Sequence, residues 1–253
     1  MKDSKRKTAL ITGATSGIGL AFTKLLAKEG YDLMLVASGR DRLLREQRAL
    51  QQWKPHLQVM VFCQDLCEED AAEKVYEWVH KKHCHVDLLI NNAGFGLVGP
   101  SQEIDVSQEK RMLRILTETP TMLCKYFLRD MYEEQVGCIV NVASTGAFQP
   151  GPYTASYYAA KSYLYQYSQA VRLEARKKGV RIITLCPGTT RTKFFAKTGK
   201  KTPIWAMTPE KVVEAAWKGI QKDQAVVVPG IINQLFRLIP ANLKAYGVAL
   251  LKK

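Results

Sequence analysis

Residues 8–19 read TALITGATSGIG, and this stretch decides the fold. Thr8–Ile11 predicts a short strand, and a helix follows the glycines. Gly13 permits a tight turn, Gly17 lets the backbone approach a phosphate, and Gly19 lets the helix pack against a sheet. The first turn of such a helix offers free N–H groups and the positive end of its dipole. The stretch therefore predicts a dinucleotide phosphate loop. Its residues are Gly13, Thr15, Ser16, Gly17, Ile18 and Gly19.

The rest of the chain alternates short apolar stretches with helical stretches of a dozen or more residues. This alternation indicates a parallel sheet covered by helices on both faces. We predict an α/β fold, a three-layer αβα doubly wound (Rossmann-like) sheet of about seven strands. The predicted strands are Thr8–Ile11, Tyr31–Ala37, Leu57–Phe62, Val86–Ile90, Val136–Ala143, Val180–Leu185 and Ala225–Val228. Residues 1–253 are predicted to form one domain, with a substrate loop at 190–208 and an apolar, basic tail at 230–253.

Composition narrows the class of protein. Of the 253 residues, 47% are hydrophobic and 24% are charged, which is typical of a globular protein. The formal net charge of +14 suits an anionic cofactor, substrate or surface. No nucleic-acid-binding motif accompanies the basic residues, so we expect no nucleic-acid partner. The six cysteines show neither a disulfide framework nor metal spacing, and we predict reduced thiols, no metal and a cytoplasmic protein.

Further motifs follow the first loop in a fixed order. Asn91-Asn92-Ala93-Gly94 comes after the fourth predicted strand, and Ser144 comes after the fifth. Tyr157 and Lys161 form a YxxxK pair thirteen residues beyond Ser144, and Pro187-Gly188 follows the sixth strand. Together with the TGxxxGxG spacing, this series resembles the short-chain dehydrogenase/reductase family. The resemblance extends over most of the chain.

The resemblance implies an oxidoreductase that interconverts a ketone or aldehyde and an alcohol with a nicotinamide cofactor, acting as a homodimer or homotetramer. It implies that Ser144 holds the substrate oxygen, Tyr157 is the general acid/base, and Lys161 bonds the nicotinamide ribose. Tyr157 and Lys161 are four residues apart and share a helix face. The ammonium and an oxidised cofactor are expected to lower the tyrosine pKa from ~10 by about 3 units. The implied cofactor contacts beyond the first loop are Asp65, Leu66, Asn92, Ala93, Gly94, Tyr157, Lys161, Pro187, Gly188 and Thr192.

The end of the second predicted strand bears on the choice of cofactor. A carboxylate at this point binds the adenosine ribose hydroxyls and repels a 2′-phosphate. This chain has Ser38 and Arg40 there, and both side chains can donate hydrogen bonds to a phosphate. We therefore favour NADP(H) over NAD(H). Arg42 is left open between a phosphate contact and an ordinary surface position.

Leu116 departs from the family pattern. It lies in a predicted long helix, Val106–Glu134, that contains Pro120. The resemblance implies an asparagine at this position that helps to relay protons through water, and leucine has no amide. Thr117, Thr119 or a backbone carbonyl freed near Pro120 would compensate. The alternative is a catalytically weakened, cofactor-binding regulatory or scaffold protein.

The carboxyl-terminal third bears on substrate and partners. The substrate loop contains Phe194, Phe195, Ile204, Trp205 and Met207, which predict an apolar, steroid-like or fatty-acyl-like carbonyl substrate. Lys193, Lys197, Lys200 and Lys201 would accommodate an anionic tail on it. The tail at 230–253 mixes apolar residues with four basic ones. Three interpretations of the tail stay open: core or pocket packing, a dimer interface, and peripheral contact with a membrane.

Overall fold

The architecture is a twisted parallel sheet between two layers of helices. The computed structural model describes residues 6–192 and 206–241, together with residues 244, 245 and 248. Within these residues, seven parallel strands form one sheet in the order β3-β2-β1-β4-β5-β6-β7. The strands are β1 (Thr8–Thr12), β2 (Asp32–Ala37), β3 (Val59–Cys63), β4 (Leu88–Asn91), β5 (Cys138–Val142), β6 (Arg181–Leu185) and β7 (Val226–Val227). The predicted α/β doubly wound fold is confirmed.

Helices bury an apolar layer on each face of the sheet. The helices are α1 (Gly17–Lys28), α2 (Arg40–Trp53), α3 (Ala71–Lys81), α4 (Val106–Leu113), α5 (Thr119–Glu134), α6 (Ala155–Arg176), α7 (Pro209–Gln221) and α8 (Ile231–Leu238). Successive strand residues point to opposite faces, so Ile11 packs with Phe22 of α1 while Leu10 packs with Phe127 of α5. Apolar residues therefore run continuously along the strands, as a sheet covered on both faces requires.

The chain order of the strands reverses at β1. This strand pairs with β2 on one side and with β4 on the other. Connections on the two sides leave in opposite directions, and a crevice opens at the carboxyl ends of β1 and β4. The phosphate loop and the Asn91–Gly94 segment follow these two strands, so the fold brings both to this crevice.

The predicted helix Val106–Glu134 is interrupted at its centre. A π-helical turn, Arg114–Glu118, joins α4 to α5. Pro120 carries no N–H, so the α-helical hydrogen bond to the carbonyl of Leu116 cannot form. The N–H of Thr119 instead donates to the carbonyl of Arg114, five residues earlier. The π-helical turn therefore lies before Pro120 and contains Leu116.

The substrate loop and the tail are described in part. Residues 193–205, including Phe194, Phe195, Ile204, Trp205 and the predicted lysines of the loop, lie outside the described residues. In the tail, α8 keeps its large apolar side chains exposed, so core packing is wrong for this helix. No helix in the part of the chain that the structure describes is long and apolar enough to cross a membrane.

Candidate active site

Two adjoining cavities occupy the crevice at the carboxyl ends of the strands. The first has a volume of about 310 Å³ and is lined by Ser144, Tyr157 and Lys161. The second, of about 270 Å³, is lined by Ser38 and Asp65. Five residues line both cavities, which makes them neighbours along one cleft: Gly13, Ser16, Ala93, Gly94 and Phe95. The first cavity also includes Gly17, Ile18, Asn92, Pro187, Gly188 and Thr192, and the second includes Thr15 and Leu66.

The glycines of the phosphate loop are required by close approaches. Gly13 has φ +66°, and a Cβ there would lie 2.8 Å from Nδ2 of Asn92. Gly17 has φ +52°, and its Cβ would lie 2.9 Å from Cγ2 of Thr192. Gly19 lies beneath the cleft, where a Cβ would stand 2.2 Å from the carbonyl oxygen of Gly13. The amino end of α1 thus meets the cleft without side chains in the way, which fits a dinucleotide pyrophosphate.

Thr12 ties the phosphate loop to the next motif. Its hydroxyl donates to the carbonyl of Ile90 at 3.2 Å and accepts from the N–H groups of Asn92 at 2.9 Å and Ala93 at 3.1 Å. The Asn92 side chain donates back to the Thr12 carbonyl at 2.9 Å. The sequence analysis did not assign Thr12 a role, although the threonine before the first glycine was visible in the motif.

The three predicted catalytic side chains come together in the first cavity. Ser144 follows β5, accepts from the N–H of Gly146 at 3.0 Å, and hydrogen-bonds Tyr157. Lys161 lies one turn beyond Tyr157 on α6, with its Nζ 5.9 Å from the tyrosine ring centroid. Lys161 is only 5% exposed, and its Nζ donates to the carbonyl of Val142 at 2.6 Å. The arrangement joins two hydroxyl groups and a cation at one wall of the cleft.

The electrostatics of this cluster differ from the sequence expectation. Burial raises the pKa of Tyr157, and the hydrogen bond with Ser144 opposes this shift without cancelling it. Burial also lowers the pKa of the Lys161 ammonium to about 8. In the chain without a cofactor, desolvation outweighs the hydrogen bond with Ser144. The predicted lowering of the tyrosine pKa also depends on an oxidised cofactor and stays a prediction. Tyr157 holds its proton at neutral pH.

Leu116 fills the position that the family pattern assigns to asparagine. It is 1% exposed and packs with Met112, Ala160 and the partly buried Tyr157. Its Cδ2 lies 2.6 Å from where a Cβ of Gly94 would stand. An apolar side chain therefore occupies the space beside the tyrosine.

The two threonines predicted as substitutes for the asparagine amide donate their hydroxyl protons to backbone carbonyls. The Thr117 hydroxyl donates to the carbonyl of Leu113 at 2.7 Å, and the Thr119 hydroxyl donates to the carbonyl of Leu66 at 2.8 Å. Of the compensations expected from the sequence, a change in the backbone near Pro120 is the one that corresponds to an observed feature, the π-helical turn.

The second cavity contains residues that the sequence predicted for the choice of cofactor. Ser38 and Arg42 line it, whereas Arg40 is exposed in the first turn of α2. Geometry thus favours Arg42 over Arg40 as the guanidinium that faces the cavity, a choice that the sequence left open.

Asp65 is held on the floor of this second cavity by two donors. Its Oδ1 accepts from the N–H of Cys67 at 2.9 Å, and its Oδ2 accepts from Arg111 at 2.7 Å. Burial alone would raise the pKa of Asp65, but these two hydrogen bonds outweigh it and the pKa lies below its usual value. The sequence did not indicate a role for Arg111, because no local pattern connects it with Asp65, which lies 46 positions away.

The remaining wall of the first cavity is apolar. Phe95, Leu97 and Val98 line it beside Tyr158. Among the described residues that line this cavity, Lys161 is the one charged side chain. A substrate that carries its own charge would meet few partners on these walls, whereas an apolar one would bury its surface there.

Comparisons with known proteins identify the family. The family model of the short chain dehydrogenases matches residues 7–203, so the chain belongs to the short-chain dehydrogenase/reductase family and is an oxidoreductase of alcohol and carbonyl groups. The 7beta-hydroxysteroid dehydrogenase of Clostridium sardiniense is 27% identical over 216 residues, which cover 84% of this chain and 82% of the relative. The very-long-chain 3-oxoacyl-CoA reductase of Homo sapiens is 28% identical over 240 residues, with 92% and 75% coverage.

A solved structure is similar over nearly the whole chain. The short-chain dehydrogenase from Sphingobium yanoikuyae in complex with NADPH has a TM-score of 0.84 and 27% sequence identity. The alignment covers 96% of this chain and 93% of that one.

Proposed function

We propose that this protein is an NADP(H)-dependent oxidoreductase that interconverts an apolar ketone or aldehyde and the corresponding alcohol. The observation that carries the proposal is the meeting of Ser144, Tyr157 and Lys161 in an apolar-walled cavity that adjoins the phosphate loop. When bound there, the nicotinamide cofactor supplies or accepts the hydride. The residues of the chain must orient the carbonyl oxygen, move one proton and exclude water.

Ser144 and Tyr157 share the work on the substrate oxygen. The Ser144 hydroxyl holds that oxygen beside the Tyr157 hydroxyl, to which it is already hydrogen-bonded. Because burial raises the pKa of Tyr157, the tyrosine carries the proton that carbonyl reduction consumes. In the reverse direction, Tyr157 accepts a proton as the phenolate. Lys161 places a cation close to the ring, and this charge stabilises the phenolate.

The backbone around Leu116 replaces the family's asparagine as a support for the proton relay. Pro120 cannot donate to the Leu116 carbonyl, so this oxygen keeps acceptor capacity for a water molecule. The π-helical turn that follows from this mismatch lies against the same cluster as Tyr157. A water on this carbonyl would return protons to the buried tyrosine and lysine.

The preference for NADP(H) rests on the second cavity. Ser38 provides a hydroxyl and Arg42 a guanidinium at its edge, and Arg40 adds positive charge two residues before Arg42, at the start of α2. Arginine binds phosphate through paired, charge-assisted hydrogen bonds, so this edge suits a 2′-phosphate. The similar Sphingobium enzyme was solved with NADPH, which supports the same choice.

The apolar cavity wall supports a steroid-like or fatty-acyl-like substrate. Two similar proteins are named for such compounds, a 7beta-hydroxysteroid dehydrogenase and a very-long-chain 3-oxoacyl-CoA reductase. The single domain, the homodimer or homotetramer and the cytoplasmic location stay predictions from the sequence.

A second candidate is a cofactor-binding regulatory or scaffold protein with weak turnover. The observation that favours it is the buried, apolar Leu116 beside Tyr157. Turnover distinguishes the two candidates, because a scaffold would bind the cofactor without consuming it.

The test is NADPH oxidation with a panel of apolar ketones, aldehydes and 3-oxoacyl compounds, repeated with NADH. We expect turnover of at least one panel member, and we expect Tyr157→Phe to remove nearly all of it while NADPH still binds. Tyr163→Phe is the matched control, since Tyr163 lies on the same helix but is exposed and contacts Thr121. NADPH binding without turnover of any compound would favour the scaffold instead.

A further inference from the structure

Helix α8 presents an unusual surface for a helix on the outside of a protein. Its five large apolar side chains are between 55% and 79% exposed: Ile231, Ile232, Leu235, Phe236 and Leu238. Single exposed apolar residues are common, but a contiguous group of this kind marks a surface that meets another apolar phase. These five side chains are called the α8 face below.

Polar contacts hold α8 at the mouth of the first cavity. Asn233 lies against Gly188, where a Cβ would stand 2.4 Å from Asn233 Oδ1. The Arg237 guanidinium lies 5.1 Å from the Phe148 ring centroid, and Lys244 donates to the Phe148 carbonyl at 3.2 Å. Asn233 and Arg237 of the helix, and Lys244 beyond its end, thus contact the rest of the protein, while the α8 face is exposed.

The charge of the chain selects among the surfaces that could cover the α8 face. Residues 188–209 and 224–253 contain nine lysines and arginines and no aspartate or glutamate. A second copy of the chain would bring together two proteins that each carry a formal net charge of +14. An anionic surface would instead be attracted by this charge, and apolar helices flanked by basic residues are typical of membrane interfaces.

We propose that the α8 face docks the protein on an anionic phospholipid surface. At eight residues α8 is ~12 Å long, too short to cross the ~30 Å hydrocarbon layer, so it lies along the headgroup boundary. Because Asn233 of α8 lies against Gly188, which lines the first cavity, docking brings this cavity close to the lipid. The docking is independent of the proposed reaction, and only the delivery of an apolar substrate from the lipid would rest on that proposal.

The experiment is flotation of the full chain with vesicles of phosphatidylcholine alone and with vesicles that also contain phosphatidylglycerol. We expect binding to the anionic vesicles only, and weaker binding as salt is raised. The double substitution Leu235→Gln with Leu238→Gln should weaken the partition about tenfold or more. Leu173→Gln is the matched control, because Leu173 is 70% exposed on α6 and belongs to another surface.

Several outcomes would overturn the proposal. These are an absence of binding to anionic vesicles, equal binding to both vesicle types, or equal loss in the control variant. Sedimentation velocity provides the rival outcome: a dimer that the α8 substitutions dissociate, without vesicle binding, would show that a second copy covers this face. An unchanged melting temperature and unchanged NADPH binding in the variants would show that the fold is intact, whatever the turnover measurements give.

Discussion

Leu116 packs against Gly94, which lines the catalytic cavity: a Cβ on residue 94 would stand 2.6 Å from Leu116 Cδ2. The leucine side chain can occupy this space only because residue 94 has none. Leu116 thus places a buried apolar side chain against Gly94 and next to Tyr157, where the family pattern has an amide. Any substitution at 116 therefore acts on packing and on proton transfer at once.

Leu116→Asn tests whether the family's asparagine is missing or replaced. Because the π-helical turn already provides a backbone route, we expect no gain in turnover. The change removes a buried leucine and buries an unpaired amide, which should lower the free energy of unfolding by about 3 kcal/mol or more and the melting temperature by roughly 6–12 °C. Calorimetry and steady-state kinetics measure the two effects.

Leu116→Met is the control for packing alone, since it nearly conserves volume and should cost less than ~1.5 kcal/mol. A rise in turnover of Leu116→Asn, with a smaller solvent isotope effect, would mean that the wild-type relay is impaired. That result would contradict the backbone route near Pro120.

The edge of the adenosine cavity predicts how cofactor preference can be changed. Ser38→Asp with Arg40→Leu should weaken NADPH far more than NADH, because a 2′-phosphate loses a donor and a cation and meets a carboxylate. Arg42→Leu alone should raise the KM for NADPH by about tenfold to 100-fold, with little change for NADH. Arg40→Leu alone should have the smaller effect, since Arg40 is exposed outside the cavity lining. Equal losses for both cofactors would show that the 2′-phosphate lies elsewhere.

Arg111 should affect both cofactors equally. Its guanidinium donates to Asp65, a predicted cofactor contact, so we expect it to act through this carboxylate rather than on a 2′-phosphate. The Arg111 side chain is 45% exposed, so we expect Arg111→Met to weaken NADPH and NADH alike by at most about fivefold. Isothermal titration of both cofactors measures this, with the neighbouring Lys110→Met as control. A loss confined to NADPH would make Arg111 a phosphate ligand.

Lys161 should give the protein a pH-dependent stability. Burial lowers its pKa to about 8 from an ordinary value of 10.5. Between these pH values the unfolded chain keeps a proton that the folded protein has released, so this group makes the free energy of unfolding rise with pH. The free energy of unfolding of the wild type should therefore rise, relative to that of Lys161→Met, by up to about 1 kcal/mol per pH unit in this window.

Urea unfolding at a series of pH values, without cofactor, measures that difference. Buried tyrosines and cysteines with raised pKa values have the opposite dependence, but they are present in both proteins and cancel in the comparison. Parallel curves for the two proteins would show that Lys161 titrates near its ordinary pKa.

The sequence was sufficient for the parts of the molecule that depend on local patterns. The strands and the glycine loop follow from periodicity and spacing. The Ser144, Tyr157 and Lys161 set follows from the resemblance to the family, and the structure gathers these three side chains at one cavity. The contact between Arg111 and Asp65 was not predictable, because Arg111 lies on α4 and Asp65 follows β3. The raised pKa of Tyr157 was also missed, since desolvation depends on everything packed around a side chain.

The π-helical turn was predicted only in part from the sequence. Pro120 indicated an irregularity, but the sequence could not say that the helix would widen one turn earlier rather than end. The exposure of the α8 face was not predictable from the sequence either. An apolar helix has the same sequence pattern whether it packs in a core or against an outside surface.

The position of β1 in the sheet has a consequence for synthesis of the chain. Thr12 and Asn92, whose hydrogen bond holds the phosphate loop to the neighbouring motif, are 80 residues apart. At about 5–20 residues per second, a ribosome needs roughly 4–16 s to make the partner after Thr12 has appeared. During this interval one edge of β1 has no β4 to pair with, and an unpaired apolar edge is prone to join other chains. The cofactor loop is thus encoded first but completed late, and the nascent amino-terminal third is the part of this protein most exposed to aggregation.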